Sequence, residues 1–242
     1  QRQMCIRDSY SRAAEIESKS FSIYMNLGNA YAELNNFEQA MKNYTKALEL
    51  ESNSAPLYNA IGLLYQDNKD FLSAIVYYDK AIALDDKDPE NYINKASAQM
   101  SMHMYREAVK SLKKAVSLDS KNLKALICMA NCYSSLRDFE NADKTFEKCY
   151  KVDNRVYQVY VCHAISYSDA NRIDMVISKY KEAIEVAPDM PNAYILLGNI
   201  YVDRRMYLEA LDCYKKASQI QPQDAKTYTF IGNTCLLYTS PS

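Results

Sequence analysis

The sequence contains no tryptophan, only four glycines and only two histidines among its 242 residues. Loops that cradle phosphate groups need several glycines close together, and the four glycines here lie far apart. Zinc-protease motifs such as HExxH need two histidines on one helix, and neither that pair nor a serine–histidine–aspartate series is present. The sequence therefore predicts a protein that is not an enzyme and that binds no cofactor.

The chain also lacks an excess of either charge. Its 29 basic and 30 acidic residues give a net charge of −1, which argues against a nucleic-acid or anionic-membrane partner. No apolar run approaches the ~18 residues that span a bilayer. Seven cysteines without regular disulfide spacing are typical of a reducing compartment, so we expect the protein in the cytoplasm or nucleus.

What the sequence does contain is a period of 34 residues. The four glycines fall on this period, and alanines occupy the three positions between them: Gly28, Gly62, Ala96, Ala130, Ala164, Gly198 and Gly232. A fixed period of about 20–50 residues is typical of a repeat protein, in which each unit buries its apolar face against the next. We number the places within a repeat so that this glycine or alanine is place eight.

Two apolar stripes in each repeat predict two helices. The first stripe, at places four, seven, eight and eleven, has the i, i+3, i+4, i+7 spacing of one helical face. The second stripe places a large ring or leucine between small residues, as in Ala74, Tyr78 and Ala81. We expect the small residue at place eight to face the small residues of the second stripe, so that two antiparallel helices approach closely.

The repeat resembles the tetratricopeptide repeat, which has an aromatic residue, Leu-Gly, Tyr, Ala, Phe and Pro at these offsets. The stretches YMNLGNAYAEL from Tyr24 and YILLGNIYVDR from Tyr194 carry the resemblance. It implies an all-α fold, an α-solenoid that forms a right-handed superhelix of antiparallel helix pairs. Six complete repeats are expected at 21–54, 55–88, 89–122, 123–156, 157–190 and 191–224, with half repeats at 10–20 and 225–234. Lys95 and Gln99 depart from the apolar pattern, so we expect the first helix of the third repeat to pack loosely.

Both ends of the chain look foreign to the repeats. Residues 1–9 lack the alanine expected from the period, and residues 235–242 read CLLYTSPS, outside the repeat pattern. The two strings resemble translated adapter or vector sequence. We therefore expect 1–9 and 235–242 to be non-native tails on a fragment of a longer array, 10–234.

A metal site is a weak alternative in the fourth and fifth repeats. Cys128 and Cys132 lie four residues apart on one predicted helix, and Cys162 and His163 follow in the next repeat. No CxxC or HxxH pair accompanies them, so buried thiols that behave as small apolar groups are the favoured interpretation. His163 takes the aliphatic place seven of its repeat and is expected to be a core residue.

The resemblance implies that the first helices line the inside of the superhelix. Asparagine amides there can pair with the backbone of an extended peptide, and aliphatic side chains can add apolar contacts. The predicted peptide-binding groove comprises Met25, Asn26, Asn29, Asn59, Ile93, Asn94, Ile127, Asn131, Ile195 and Asn199. Acidic residues around it favour a neutral to basic protein or peptide partner.

Three functions stay open at this point. The favoured one is a non-catalytic protein-interaction scaffold that holds an extended peptide. Only two of the five residues that clamp the acidic C-termini of heat-shock chaperones are present, so that ligand is not expected. The alternatives are the substrate-recruiting arm of a larger enzyme similar to O-GlcNAc transferase, or a structural subunit of a ciliary or cell-cycle assembly.

Overall fold

The computed structural model describes residues 2–239, which form helices joined by short turns. The helices are α1 (Arg2–Ile16), α2 (Phe21–Glu33), α3 (Phe37–Leu50), α4 (Ala55–Asp67), α5 (Phe71–Leu84), α6 (Pro89–Ser101), α7 (Tyr105–Leu118), α8 (Leu123–Ser135), α9 (Phe139–Val152), α10 (Tyr157–Asp169), α11 (Ile173–Val186), α12 (Pro191–Asp203), α13 (Tyr207–Ile220) and α14 (Ala225–Thr239). None of the helices within this range has the length and apolar character that crossing a membrane requires.

The chain forms two compact units, Gln1–Cys128 and Met129–Ser242. In the N-terminal unit, α2 packs on α3, α4 on α5 and α6 on α7, and the pairs join through α3 against α4 and α5 against α6. In the C-terminal unit, α10 packs on α11 and α12 on α13, with α11 against α12 and α13 against α14. Each unit is a row of helix pairs, which confirms the predicted all-α solenoid fold.

Every turn between the two helices of a repeat contains a non-glycine residue in the left-handed region. Its φ lies between 55° and 63° at Asn35, Lys69, His103, Arg137, Asn171 and Arg205. One residue later, a backbone N–H donates to the carbonyl five residues upstream, as from Asn36 to Tyr31 at 2.9 Å. This bond closes the end of the first helix, where glycine is the usual residue. Asn35 and Asn171 adopt this conformation readily, whereas Lys69, Arg137 and Arg205 adopt it against their local preference.

The residue that follows this turn caps the second helix in three repeats. The side chains of Asn36, Asp70 and Asp138 accept hydrogen bonds from backbone N–H groups three residues later. Such a cap satisfies one of the N–H groups that a helix leaves without an internal partner. The start of each second helix is thus encoded locally where one of these polar residues is present.

The packing at place eight differs from the sequence prediction. In three repeats, a Cβ added to the glycine would lie 2.3–2.6 Å from the ring at place 24, in the pairs Gly28–Tyr44, Gly62–Tyr78 and Gly198–Tyr214. The partner of the glycine is therefore a tyrosine ring on the second helix, not the small residues on either side of that ring. The fourth glycine differs, because a Cβ at Gly232 would meet nothing within 4 Å.

The polar residues of the third repeat have partners. Gln99 is buried, and its Oε1 accepts a hydrogen bond from Ser111 Oγ at 2.9 Å. Lys95 Nζ lies 2.6 Å from Asp79 Oδ1 on α5. These bonds satisfy the groups that led us to expect loose packing of α6.

The two predicted tails are helical where the structure describes them. Residues 2–9 belong to α1 and residues 235–239 belong to α14. Ile6 takes the place that a buried alanine has in five of the repeats, yet it is exposed. The non-native origin of both tails stays a prediction, and residues 1 and 240–242 lie outside the described range.

Candidate functional site

The predicted binding residues lie on the first helix of each repeat. We call places two, five, six, nine, twelve and thirteen of these helices the first-helix face, and we describe it separately in each compact unit. Nine of the ten predicted residues are partly exposed: Met25, Asn26, Asn29, Asn59, Asn94, Ile127, Asn131, Ile195 and Asn199. The exception is Ile93, which is only 1 % exposed. It is a core residue of α6 and presents no surface to a ligand, so its assignment to the groove is wrong.

Two of the asparagines are positioned by buried tyrosines of the same repeat. Tyr44 Oη donates to Asn29 Oδ1 at 2.7 Å, and Tyr214 Oη donates to Asn199 Oδ1 at the same distance. Both tyrosine rings are nearly fully buried, so this bond fixes the orientation of each amide. The bonds leave the amide N–H groups of both asparagines as donors for a ligand carbonyl.

A chain of three amides joins α4 to α6 in the N-terminal unit. Asn94 Nδ2 donates to Asn59 Oδ1 at 3.2 Å, and Asn59 Nδ2 in turn donates to Asn91 Oδ1. Asn91 is 2 % exposed and lies at place three, where neighbouring repeats carry Leu57 and Ala125. Asn91 was not among the predicted site residues, although an amide at an apolar place is a signal of a buried hydrogen bond. Asn59 uses both of its polar atoms internally, which leaves Asn94 Oδ1 as the acceptor of this group.

Asn131 performs a similar role in the C-terminal unit. Its Nδ2 lies 3.8 Å from the buried Cys162 Sγ, to which Gln158 Nε2 also donates at 3.3 Å. One turn further along, Ser134 Oγ donates to Ser166 Oγ at 2.6 Å. Neighbouring first helices are thus joined by polar side chains here as well. Within residues 2–239, no three histidine, cysteine, aspartate or glutamate side chains converge in a way that could hold a metal ion.

A cleft opens on the first-helix face at the C-terminal end of the described chain. Its volume is about 310 Å³, and its walls include Asn199, Asp203, Phe230 and Asn233. The cleft offers an amide donor, a carboxylate and an aromatic ring within one space. These groups suit the backbone and side chains of an extended polypeptide.

The rim of the first-helix face carries negative charge in both units. Glu33 and Asp67 are exposed in the N-terminal unit, and Asp169 and Asp203 are exposed in the C-terminal unit. Among the described residues, none of these four carboxylates forms an ion pair. The carboxylate of Glu90 differs, because Lys124 Nζ lies 3.0 Å from it.

Solved structures of similar fold include three that cover more than nine-tenths of this chain. Yeast Tom70 superposes with a TM-score of 0.73 at 18% identity, over 96% of this chain and 51% of that one. A tetratricopeptide repeat protein from Parabacteroides merdae gives 0.72 at 16% identity, over 96% and 92%. The C-terminal part of a TPR repeat-containing protein from Cytophaga hutchinsonii gives 0.71 at 17% identity, over 93% of each chain.

Family models match three stretches of the sequence. Models of the tetratricopeptide repeat match residues 21–54 and 191–224, the same ranges as the first and sixth predicted repeats. The chain contains tetratricopeptide repeats. A further model, described as anaphase-promoting complex, cyclosome, subunit 3, matches residues 67–149. The comparison with curated protein sequences gave no significant match.

Tetratricopeptide repeats are in general a non-catalytic fold that serves as a scaffold for protein interactions. Their stacked helix pairs create an extended surface without a dedicated reaction centre. The first-helix face of this chain carries amides, carboxylates, hydroxyls and lysines spaced along successive helices.

His163 is a structural residue of the fifth repeat. Its ring is 1 % exposed and lies between Phe146 and Tyr167, with ring centres 4.4 Å and 4.3 Å away. Nδ1 lies 2.9 Å from Tyr150 Oη, and Nε2 lies 3.2 Å from Asp143 Oδ1. The predicted core position is therefore what the structure shows. Burial lowers the pKa of His163 below its usual value, although the Asp143 carboxylate acts in the opposite direction.

Acid is expected to destabilise the fifth repeat through this histidine. With its pKa lowered in the folded state, His163 binds a proton less readily there than in the unfolded chain. Stability is therefore lost as pH falls below the unfolded value of about 6.5. The melting temperature at about pH 5.5 should be lower than at about pH 7.5. His163→Leu, which restores the usual leucine of this place, should reduce the difference between the two melting temperatures. If that difference were unchanged in the variant, His163 would not be the source of the acid sensitivity.

Proposed function

We propose that this protein is a non-catalytic scaffold that binds an extended peptide segment of a partner on its first-helix face. The observation that carries the proposal is the fixed orientation of the amides. Asn29 and Asn199 accept bonds from buried tyrosines through Oδ1, so that their N–H groups remain available as donors. Asn94 is held by Asn59 and keeps its oxygen as an acceptor. A peptide backbone needs both donors and acceptors of this kind.

The apolar side chains that accompany these amides are Met25, Ile127 and Ile195, all partly exposed. They offer shallow contacts for aliphatic side chains of the partner. The unpaired carboxylates at Asp67, Asp169 and other rim positions favour a neutral or basic segment over an acidic one. A segment that is disordered when free must be ordered on binding, so we expect modest affinity.

A pair of alanine substitutions tests the proposal. Asn26 forms no hydrogen bond within the described chain, and the hydrogen bond of Asn131 is a long one to the weak acceptor Cys162 Sγ. Asn26→Ala together with Asn131→Ala should therefore weaken peptide binding by about 1–3 kcal/mol while leaving the fold intact, since a ligand group loses its partner. Fluorescence anisotropy with peptides selected from an array of neutral, basic and acidic sequences measures the change.

Asn53→Ala is the matched control, because Asn53 is exposed in the link between α3 and α4. It should leave the affinity unchanged. The proposal would be contradicted if the protein bound the acidic C-terminal peptides of the array most strongly. An unchanged peptide affinity of the double variant would also contradict it. Circular dichroism of the double variant separates a loss of binding from a loss of structure.

A structural subunit of a larger assembly is the second candidate. It is favoured by the match of residues 67–149 to the model described as anaphase-promoting complex, cyclosome, subunit 3. One neighbour of similar fold, with a TM-score of 0.68 at 12% identity, comes from an APC/C hetero-tetramer of Cut9 and Hcn1. A partner that binds only as a folded protein, and not as an isolated peptide, would favour this candidate.

A further inference from the structure

A second cleft lies away from the first-helix face, between the second helices of the fifth and sixth repeats. Its volume is about 540 Å³, and α11, α12 and α13 form its walls. The buried Leu197, Tyr201 and Cys213 line its floor, while the more exposed Ile184, Tyr194 and Leu208 line its sides. Leu208 is 61% exposed, as is its second-repeat counterpart Leu72 at 64%. We call this space the sixth-repeat cleft.

The second repeat shows what occupies the equivalent space. There the ring of Tyr77 stacks on Tyr65 at 5.3 Å and on Tyr58 at 6.2 Å, and Lys80 Nζ lies 4.6 Å above the Tyr77 ring. Tyr58 and Tyr65 correspond by the 34-residue period to two tyrosines of the sixth-repeat cleft. In the second repeat this space is therefore filled by a tyrosine ring that is held between two tyrosines and a lysine.

The sixth repeat keeps the surroundings of that ring and lacks the ring itself. Tyr194, Tyr201 and Lys216 stand at the places of Tyr58, Tyr65 and Lys80, and all three line the cleft. The place of Tyr77 is taken by Cys213, whose side chain is far smaller. The fifth repeat fills the same region differently, since Tyr150 lies 4.8 Å from Tyr160 beneath Lys179.

The charges at the mouth of the cleft favour a ligand that carries a basic group. Three carboxylates and two ammonium groups line it: Glu185, Glu209, Asp212, Lys181 and Lys216. Lys216 Nζ pairs with Asp212 Oδ2 at 3.1 Å, which leaves two glutamates against one lysine. A basic group beside an inserted ring would complement this excess of negative charge.

We propose that the sixth-repeat cleft binds an aromatic side chain of a partner protein, flanked by basic residues, in the position that Tyr77 occupies in the second repeat. The ring would stack against Tyr194 and Tyr201 below Lys216, with aromatic and cation–π contacts of the kind seen at Tyr77. Burial raises the pKa of the Cys213 thiol to about 11, so the floor is neutral and suited to an apolar ring. This site does not depend on the peptide-binding function of the first-helix face.

The test uses the full chain and the probe peptide acetyl-Lys-Ala-Phe-Ala-Lys-amide. Titration followed by amide chemical shifts should show saturable changes at residues of α12 and α13. Cys213→Tyr supplies the missing ring from within and should weaken binding about tenfold or more, because the space is then filled. Leu208→Asn alters one exposed wall without disturbing the floor and should also weaken binding.

The matched control is Asn43→Tyr. Asn43 is the first-repeat counterpart of Cys213, in a cleft of about 460 Å³ whose wall includes Lys42 and Lys46 but only Glu49 among carboxylates. This substitution should leave binding of the basic peptide unchanged. Two changes to the probe peptide should each weaken its binding to the protein. One replaces its phenylalanine by leucine, and the other replaces both of its lysines by glutamate.

Two results would overturn the proposal. One is chemical-shift changes that lie outside α12 and α13, and the other is a Cys213→Tyr variant that binds the peptide as tightly as the unchanged protein. Equal binding of the leucine peptide would overturn the choice of an aromatic ligand. If the amide resonances of α10 residues have the same chemical shifts in Cys213→Tyr as in the unchanged protein, the fold of the variant is intact. Because the probe contacts no residue of the first-helix face, failure here leaves the test of that face independent.

Discussion

Tyr78→Ala is expected to lower the free energy of unfolding by about 3–5 kcal/mol, as does the loss of a large side chain from a core. The Tyr78 ring is fully buried between α4 and α5, and its hydroxyl donates to Gln66 Oε1 at 3.1 Å. Removing the ring leaves a cavity against Gly62, which has no side chain to fill it. Urea unfolding followed by circular dichroism measures the loss.

Tyr228→Ala is the control for this substitution. Tyr228 is 52% exposed on α14, so its removal should change the free energy of unfolding by no more than about 0.5 kcal/mol. Equal losses from the two variants would show that the ring at place 24 is not the main packing element of its repeat.

Gly62→Leu is expected to lower the free energy of unfolding by about 1–3 kcal/mol or more, because it overpacks a filled contact. Even a Cβ at this position would lie 2.6 Å from the Tyr78 ring. The same change at Gly232, where a Cβ meets nothing within 4 Å, should be neutral or should stabilise α14 by up to about 1 kcal/mol. If Gly62→Leu and Gly232→Leu lowered the urea midpoint by the same amount, the packing assignment of Gly62 would be wrong.

The two core substitutions are also expected to be coupled. In the double variant, Gly62→Leu with Tyr78→Ala, the leucine can enter the space that the ring leaves. The combined loss should therefore fall below the sum of the single losses by more than about 0.5 kcal/mol, which is the usual limit for independent sites.

The period and residue size were sufficient to predict the helices and the fold from sequence. Helix pairs begin at Phe21, Ala55 and Pro89, where the predicted repeats begin. The partner of the small residue at place eight was not predictable in this way, because it depends on how two helices rotate about their axes. A stripe of apolar places specifies which face is buried but not which side chain of the facing helix lies on a given Cα.

The candidate site was predictable only in part. The asparagines were found because they recur on the exposed side of the first helices, and Asn26 and Asn131 are partly exposed as expected. The hydrogen bonds between repeats were not found from the sequence. The donor Asn94 and the acceptor Asn59, for example, lie 35 residues apart in the chain. Ile93 shows the same limit, because it stands at a place of the repeat that is partly exposed in Met25, Asn59 and Ile127, yet it is buried.

The sixth-repeat cleft could not be found by searching for a motif. It exists because one place of the repeat changes from Tyr77 to Cys213 while the surrounding tyrosines and lysine are kept. Only a comparison of equivalent places in the structure shows that the space filled by Tyr77 in the second repeat is open in the sixth. Repeat proteins thus provide an internal reference for their own vacant positions.

The left-handed turns between paired helices have a consequence for the order of folding. Three of the six are occupied by Lys69, Arg137 and Arg205, for which this backbone region is unfavourable by about 1–2 kcal/mol. Because such a turn is unfavourable in isolation, we expect it to close only after the two helices that it joins have docked. Helix docking rather than turn formation is then expected to start the folding of these three repeats.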